Sequence, residues 1–239
     1  MMERLHKRIA SSGYCSRRMA ERLIEAGEVK VNGKVVKEMG VQVSEKDKIE
    51  VEGCKLRFNV QHVTIAFNKP AGVVTTRHDP TGAETVMDLL PEEYQHLNPV
   101  GRLDRDSEGL LLLSNDGDLV LRLTHPRFGH QKTYEVGVWG LVSSDTVKRL
   151  ERGVKLDGVL LNPMKTEIVK EQGKQTWLRI TLTEGRKRQI RRVLEQFGHS
   201  VFALKRVAMG ELELGDLKSG EYRELSPAEV QLAFSHEGK

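Results

Sequence analysis

The sequence predicts an α+β protein with a small N-terminal domain and a larger domain built on a mostly antiparallel mixed sheet. Its 239 residues are enough for two unequal domains. Two helical segments and a hairpin signal come first. Seven short β-type runs follow, separated by turn signals, with only a few helical segments among them.

The N-terminal domain is predicted to open with two helices. The first covers residues 3–13, with apolar side chains on one face and Gly13 at its end. Ser16 can cap the second helix, and Gly27 can end it. The buried stripe of this second helix is predicted to consist of Met19, Ala20, Leu23 and Ile24.

A β-hairpin is predicted directly after the second helix. The dipeptide Asn32-Gly33 lies between two β-rich runs, which is the strongest short hairpin signal. Residues 48–52 alternate like a further strand. We therefore expect an N-terminal domain of residues 1–58 and a second domain of residues 59–239.

The larger domain is predicted to contain more strands than helices, as in an antiparallel sheet with a few flanking helices. Thr85 and Asp88 form a capping-box pattern at the start of the first predicted helix. The predicted strands cover residues 63–68, 71–76, 109–115, 132–140, 164–170, 176–183 and 200–210. The predicted helices cover residues 85–91, 143–153, 186–198 and 227–234.

The composition excludes several classes of protein. The longest aliphatic run, Leu110 to Leu113, is far shorter than the ~20 residues of a membrane helix. The charged N-terminus lacks the apolar core of a secretory signal, so we expect a cytoplasmic protein. Cys15 and Cys54 have no metal-ligand spacing. Glycine-rich cofactor loops and zinc-protease motifs are absent from the sequence, so we expect chemistry without a metal or cofactor.

Positive charge is concentrated at the start of the chain. Residues 1–60 carry 13 Lys and Arg against 9 Asp and Glu, while the remainder carries 25 of each, so this segment holds the whole net charge of +4. Arg17 and Arg18 fall in the first turn of the second helix, where they are unfavourable unless an anion offsets them. An RNA phosphate is such an anion, and a solvated charged helix face is the alternative.

The N-terminal sequence RLHKRIASSGYCSRRMAERLIEAGEVKVNGKVV resembles the alpha-L RNA-binding domain. That domain occurs in a small-subunit ribosomal protein and in several RNA-modifying enzymes. The resemblance implies that six basic side chains face structured RNA, namely Arg4, Lys7, Arg8, Arg17, Arg18 and Arg22.

The densest polar segment of the larger domain is GRLDRDSEGLLLLSNDGDL, residues 101–119. It predicts a charged loop that leads into a hydrophobic strand. The alternation does not decide which carboxylate turns inward, and an exposed, salt-bridged loop is the alternative. Its five charged residues before the strand are Arg102, Asp104, Arg105, Asp106 and Glu108.

Four sequence blocks resemble, in order, those of bacterial ribosomal RNA pseudouridine synthases related to the small-subunit synthase A and the large-subunit synthases B and F. They are NKPAGVVTT, GRLDRDSEGLLLLSNDG, KTYEV and EGRKRQIRRVLEQFGHSVFALKRVAMG. The resemblance implies a monomeric enzyme that isomerises one uridine of ribosomal RNA, or of a ribosomal subunit precursor, to pseudouridine without a cofactor. It favours the 23S RNA of the large subunit, although the 16S enzyme shares these blocks.

The same resemblance implies roles for individual residues. It makes Asp104 the catalytic aspartate, and it makes Arg102 the side chain that helps displace the target base. Tyr134 is expected to stack on the flipped uracil, Arg191 to pair with the catalytic carboxylate, and Leu204 to pack against the base. Three more basic residues are expected to contact the RNA: Arg188, Arg192 and Lys205.

Physical chemistry is consistent with these roles. A base must leave its stack before a reaction at its glycosidic bond, which costs a few kcal/mol. Stacking on an aromatic side chain offsets this by about 1–3 kcal/mol per base. Isomerisation also needs an ionised carboxylate as nucleophile or base, and both schemes remain open. Helical spacing places Arg191 on a different face from the apolar stripe of its helix.

Two other functions are compatible with the residues alone. One is a non-catalytic RNA-binding or ribosome-assembly protein that uses the larger domain as a platform. The other is an RNA glycosidase, because Asp104 together with Asp106 or Glu108 would supply a carboxylate pair. A glycosidase would release the base, whereas an isomerase would retain it.

Overall fold

A computed structural model describes residues 2–58 and 61–234. The chain divides into two compact units. The smaller unit comprises residues 1–62 with 115–117, and the larger unit comprises residues 63–114 and 118–239. Residue 59, at the predicted domain boundary, lies outside the described residues.

The N-terminal unit combines two short helices with a small antiparallel sheet of strand order β3-β2-β5-β6. Strands β1 and β4 form a separate antiparallel pair. The elements are β1 (Glu3–Arg4), α1 (Leu5–Ser11), α2 (Arg17–Ala26), β2 (Val29–Val31), β3 (Lys34–Val35), β4 (Gln42–Val43), β5 (Ile49–Val51) and β6 (Cys54–Lys55).

The predicted boundaries of α2 are confirmed. The Ser16 hydroxyl accepts a hydrogen bond from the Met19 amide at 3.2 Å, and Gly27 ends the helix with φ of 80°. The predicted burial of Met19 is wrong, because its exposed fraction is 43%. Ala20, Leu23 and Ile24 are buried, and their i, i+3, i+4 spacing leaves Met19 on the edge of the apolar stripe.

The predicted hairpin is also confirmed. Strands β2 and β3 pair in antiparallel register, with Val31 opposite Lys34. Asn32 and Gly33 both have positive φ, 52° and 80°, as a two-residue type I′ turn requires. The strand predicted at residues 48–52 is β5, which pairs with β2.

The larger unit is built on one nine-stranded sheet flanked by short helices. This arrangement confirms the predicted α+β class. The elements are β7 (Thr64–Lys69), β8 (Asn98–Val100), β9 (Glu108–Ser114), α3 (Gly117–Thr124), β10 (Lys132–Trp139), α4 (Ser144–Arg152), β11 (Lys155–Leu156), β12 (Val159–Leu160), β13 (Lys165–Gln172), β14 (Gln175–Leu182), α5 (Gln189–Gln196), β15 (Val201–Met209), β16 (Leu212–Glu213), β17 (Tyr222–Glu224) and α6 (Pro227–Leu232), with 3₁₀ turns at Glu92–Tyr94 and Pro126–Phe128.

The main path of the sheet has the strand order β13-β14-β10-β15-β9-β7-β17. All neighbours along this path are antiparallel except β15 and β9, which run parallel. Strand β8 pairs with β9, and β16 pairs with β15. Strands β11 and β12 form a separate hairpin. The parallel contact joins the two halves of the sheet.

One predicted strand is wrong. Six of the seven predicted runs form strands, but residues 71–76 contain only an isolated bridge between Val74 and Thr85. Gly72 has φ of 92°, outside the β region, and Thr75 hydrogen-bonds to the main chain of Leu103. This segment therefore supports a neighbouring loop instead of extending the sheet.

The helix predictions need three corrections. Residues 85–91 form turns, although the capping pattern is present as hydrogen bonds from the Thr85 amide and hydroxyl to Asp88. Helix α5 begins only at Gln189, because Arg188 has φ of 52°. Helix α3 was not predicted, since Gly117 suggested a turn. Helices α4 and α6 match the predicted segments.

Gly109 makes the parallel contact between β9 and β15 possible. It lies opposite Arg206 and has φ of 105°. A Cβ atom there would overlap the Arg206 carbonyl oxygen and lie 2.7 Å from the Arg206 amide nitrogen. The two backbones can approach this closely only because residue 109 has no side chain.

The outward face of the sheet carries an aromatic cluster near one end of β10. The ring of Phe202 lies 5.1 Å from that of Trp139 and 5.5 Å from that of Trp177, measured between centroids. Gly137 lies beneath Phe202, where a Cβ atom would come within 2.6 Å of the ring. Trp139 remains half exposed, at 52%.

Among the described residues, no helix has both the length and the apolar character needed to cross a lipid bilayer.

The Gly109→Ala substitution should strongly destabilise the larger unit. It combines backbone strain of about 1–3 kcal/mol with overpacking of about 1–3 kcal/mol. We therefore expect the melting temperature to fall by roughly 10 °C, measured by circular dichroism. Gly158→Ala is the matched control, because Gly158 has φ of 77° but no atom within 4 Å of the added Cβ. Equal losses in the two variants would contradict the close-contact explanation.

Candidate active site

Asp104 lies in the loop between β8 and β9, and its side chain is half-buried. Residues 69–75 hold this loop at several points. The Thr75 hydroxyl donates to the Leu103 carbonyl at 2.8 Å. Gly72 and Arg105 exchange hydrogen bonds, with the Gly72 amide donating at 2.7 Å and Arg105 Nε donating back at 2.9 Å. The main chain around Asp104 is therefore fixed on both sides.

A buried lysine, Lys69, also holds this loop through a hydrogen bond to its main chain. Its side chain is fully buried, and Nζ donates to the Ser107 carbonyl at 2.7 Å and to the Pro70 carbonyl at 2.8 Å. Burial lowers the pKa of Lys69 to about 8, although Asp106, Glu108 and Asp104 act in the opposite direction. This residue was not among the predicted site residues, because its only signal in the sequence is a lysine at the end of an apolar strand.

Arg191 forms its ion pair with Asp106, while the predicted pairing with Asp104 stays a prediction. Its Nε lies 3.3 Å from Asp106 Oδ2, and Nη2 donates to the Asp106 carbonyl at 2.7 Å. Its Nη1 donates to the Val201 carbonyl at 3.1 Å, so the guanidinium is held by two other main-chain segments. No ion pair within the described residues joins Arg191 to Asp104. Burial lowers the pKa of Arg191, and Asp106 and Asp104 partly offset this.

Arg188 and Arg192 also form internal ion pairs. Arg188 Nη1 donates to Asp106 Oδ1 at 2.9 Å, and Arg192 Nη2 donates to Asp157 Oδ1 at 2.6 Å. The hydrogen bond from Arg188, together with the charge of Arg191, holds the pKa of Asp106 below its usual range. These two arginines therefore have protein carboxylates as partners.

Tyr134 lies on β10, which pairs with β14 on one side and β15 on the other. It packs against one hydrophobic cluster that contains Leu103, next to Asp104, and against another that contains Leu204. Leu204 is buried, with 7% of its surface exposed. Across the sheet, Tyr134 is opposite Arg206, while Lys205 is half-buried and opposite Glu108.

A cleft of about 140 Å³ opens beside Tyr134. Arg102 and Tyr134 both line it, so the structure brings together the residues predicted to displace and stack the base. Asp104, Arg191 and Leu204 are not among the lining residues. The predicted site is thus divided between this cleft and the neighbouring loop. The remaining lining includes Lys132, Glu184 and Arg206.

Four of the six predicted RNA-facing residues in the N-terminal unit are exposed: Arg4, Arg17, Arg18 and Arg22. Lys7 is half-buried, with Nζ 4.0 Å from Glu3 Oε2. Arg8 is half-buried and has partners inside the unit, so its predicted contact with RNA stays a prediction. Its Nη1 donates to Glu3 Oε1 at 3.2 Å, and its guanidinium lies 4.0 Å from the centre of the Phe58 ring.

Metal-ligating side chains do not converge in the part of the chain that the structure describes. No group of three or more His, Cys, Asp or Glu there could hold a metal ion. The candidate site combines two loop carboxylates, Asp104 and Asp106, with two arginines, a tyrosine and a cleft lined by cations.

Comparison with known proteins identifies the family. Residues 62–196 match the profile of RNA pseudouridylate synthases, and residues 3–49 match the S4 domain. Ribosomal large subunit pseudouridine synthase B of Bacillus subtilis is 44% identical over 96% of this chain and 95% of its own length. An uncharacterised RNA pseudouridine synthase of Aquifex aeolicus is 42% identical over 100% of this chain and 96% of its own.

A solved structure extends this similarity to the fold. The crystal structure of a pseudouridylate synthase has a TM-score of 0.71 and 32% identity, and the match covers 96% of this chain and 99% of that one. The chain belongs to the RNA pseudouridine synthase family, with an N-terminal S4 RNA-binding domain. The enzyme is therefore an isomerase, as the sequence blocks predicted.

Replacing Lys69 with Met should reveal its titration in the folded protein. The pKa of Lys69 falls from 10.5 to about 8 on folding, so the unfolded chain binds more protons between these values. The stability advantage of the wild type over Lys69→Met should therefore grow as the pH is raised from about 8 to about 10. Urea unfolding at a series of pH values measures this difference.

Lys174→Met is the control for this titration, because Lys174 is exposed in the turn between β13 and β14. Its difference from the wild type should be flat over the same pH range. Other titrating groups, including Lys132, are present in all three proteins and cancel. A flat profile for Lys69→Met would contradict the assigned pKa.

Proposed function

We propose that this enzyme converts a specific uridine of ribosomal RNA to pseudouridine, with Asp104 as the catalytic aspartate. The position of Asp104 carries the proposal. It lies half-buried on a loop whose main chain is fixed by Lys69 and Thr75. Asp104 also interacts electrostatically with Arg188 and Arg191. A carboxylate held in this way suits attack on, or proton removal from, the sugar of a bound nucleotide.

Arg102 and Tyr134 would act before the chemical reaction, when the target base is displaced and stacked. Both line the cleft beside the Asp104 loop. Arg102 is exposed and can enter the gap that a flipped base leaves in its stack. Tyr134 is half-buried and can stack on the flipped uracil, while Leu204 would pack against the base. No cofactor enters this scheme.

Arg191 acts as a positioning residue in this proposal. Its guanidinium bridges the Asp106 main chain and the start of β15. It thereby holds the loop that carries Asp104 and adds positive potential near that carboxylate. The alternative is a change of partner, in which Arg191 moves from Asp106 to Asp104 when RNA binds.

The large-subunit 23S RNA is the favoured substrate, either free or in a subunit precursor. Support comes from the Bacillus subtilis relative, which is named for the large ribosomal subunit and aligns over 95% of its length. The S4 domain would grip structured RNA through its exposed Arg4, Arg17, Arg18 and Arg22. Arg188, Arg192 and Lys205 would add contacts from the larger unit. We take the enzyme to act as a cytoplasmic monomer.

The Asp104→Asn variant should bind ribosomal RNA as the wild type does but form no detectable pseudouridine. Asparagine preserves the shape of the side chain and removes its ability to act as nucleophile or base. Protein-free ribosomal RNA is incubated with each protein, and pseudouridine is mapped by position. Asp216→Asn is the matched control, since Asp216 is an exposed carboxylate outside the site. Turnover by Asp104→Asn would overturn the assigned role.

The same reaction distinguishes an isomerase from a glycosidase. An isomerase leaves the uracil attached to the RNA, whereas a glycosidase releases it. Free uracil in the wild-type reaction, with no pseudouridine in the RNA, would contradict the proposed reaction. Maps of ribosomal RNA from cells with and without this protein would identify the target uridine and its subunit.

The double substitution Arg17→Gln and Arg18→Gln should weaken RNA binding and flatten its salt dependence. Each lost phosphate contact reduces the slope of log K against log salt by ~0.7 on single strands, so the change should be about 1.4. The fold should not be damaged, because both arginines are exposed at the positive end of α2. The control is Lys165→Gln with Lys174→Gln, two exposed cations in the larger unit. An unchanged slope would contradict RNA contact at α2.

A further inference from the structure

A buried arginine, Arg206, and a half-buried lysine, Lys132, line the cleft beside Tyr134. Lys132 and Arg206 line this cleft together with Arg102, and its volume is about 140 Å³. An engineered cavity of roughly 150 Å³ holds a benzene ring, so the space here accepts one small chemical group. The proposed roles of Asp104, Tyr134 and Arg102 use neither Lys132 nor Arg206.

Arg206 is almost fully buried, with only 2% of its surface exposed. Its Nε donates to the Leu110 carbonyl at 2.7 Å, which fixes the direction of the guanidinium. Its Nη2 is buried and has no hydrogen-bond partner among the described residues. An unsatisfied buried donor is costly, so this nitrogen is suited to a ligand that accepts a hydrogen bond.

Lys132 adds a second positive charge at the same place. It precedes Tyr134 by two residues on β10, so the two side chains point to the same face of the sheet. Its Nζ donates to the His130 carbonyl at 3.1 Å, and an ammonium has two further donors. Burial and the charge of Arg206 lower the pKa of Lys132 to about 8.

The carboxylate that lines this cleft has other partners. Glu184 Oε1 accepts hydrogen bonds from the main-chain amide of Asn162 at 3.1 Å and from Gln189 Nε2 at 2.9 Å. Its Oε2 lies 3.5 Å from Arg186 Nε. No ion pair in the described part of the chain joins Glu184 to Lys132 or Arg206. A buried and a half-buried positive charge thus lie near each other at this cleft, an arrangement that a bound anion would stabilise.

We propose that Lys132 and Arg206 form a phosphate subsite that holds a phosphodiester group of the substrate RNA next to the flipped uridine. This proposal rests on the proposed function for the identity of the RNA. A phosphodiester is the anion that a nucleotide brings with it, and arginine and lysine bind it through charge-assisted hydrogen bonds. Because the subsite adjoins Tyr134, it would anchor the backbone while the base turns onto the tyrosine.

The first test uses inorganic phosphate as the probe and needs no RNA. Phosphate should raise the melting temperature of the wild type more than chloride does at matched ionic strength. Lys132→Met, which keeps the length of the side chain and removes its charge, should lose most of this increase. Lys174→Met, an exposed control, should keep it. An equal response to phosphate in Lys132→Met and the wild type would overturn the proposal.

The second test measures RNA affinity against salt concentration. Lys132→Met should bind roughly tenfold more weakly at low salt and lose ~0.7 from the slope of log K against log salt. Lys132→Arg should restore the slope, because it restores the charge. A loss of affinity with an unchanged slope would place a neutral group, such as a uracil carbonyl, in the cleft and would overturn the phosphate assignment.

These results are separable from the test of the proposed function. Wild-type protein that binds phosphate and RNA through Lys132 but makes no pseudouridine would refute the proposed function and retain the subsite. Wild-type protein that makes pseudouridine and shows no phosphate response would retain the function and refute the subsite.

Discussion

The close parallel contact between β9 and β15 at Gly109 fixes the arrangement of the whole larger unit. Strand β9 follows the Asp104 loop directly, and β15 carries Leu204 and Arg206. Strand β10, which carries Tyr134, pairs with β15 on its other side. The distances among these groups are therefore set by one place where two backbones meet without an intervening side chain.

Several charged residues are used in contacts that hold the loop of the candidate site. Lys69 donates a hydrogen bond to the main chain of the Asp104 loop at Ser107. Arg188 and Arg191 hold the same loop through Asp106. In the N-terminal unit, Arg8 is likewise tied to Glu3 and packed on Phe58. Net charge by segment consequently overstates the number of cations that are free to meet RNA.

Local sequence patterns predicted the local structure well. The caps of α2, the hairpin at Asn32, the segment of α4 and six strands of the larger unit all follow from short-range preferences. The wrong or missing predictions concern segments whose structure depends on contacts with residues far away in the sequence. Residues 71–76 have β-type composition but serve the loop at residues 101–107, and Arg191 finds Asp106 across 85 positions of sequence. The hydrogen bond from Lys69 to the Asp104 loop likewise joins residues too far apart in sequence for a local pattern to predict it.

The aromatic cluster on the outer face of the sheet also provides a spectroscopic probe. Trp139 and Trp177 are the two tryptophans of the chain, and both contact Phe202. Because residues 1–62 contain no tryptophan, intrinsic fluorescence at the tryptophan band arises wholly from the larger unit. Emission would follow the opening of the β10, β14 and β15 surface, whereas the S4 domain would add nothing to the tryptophan band.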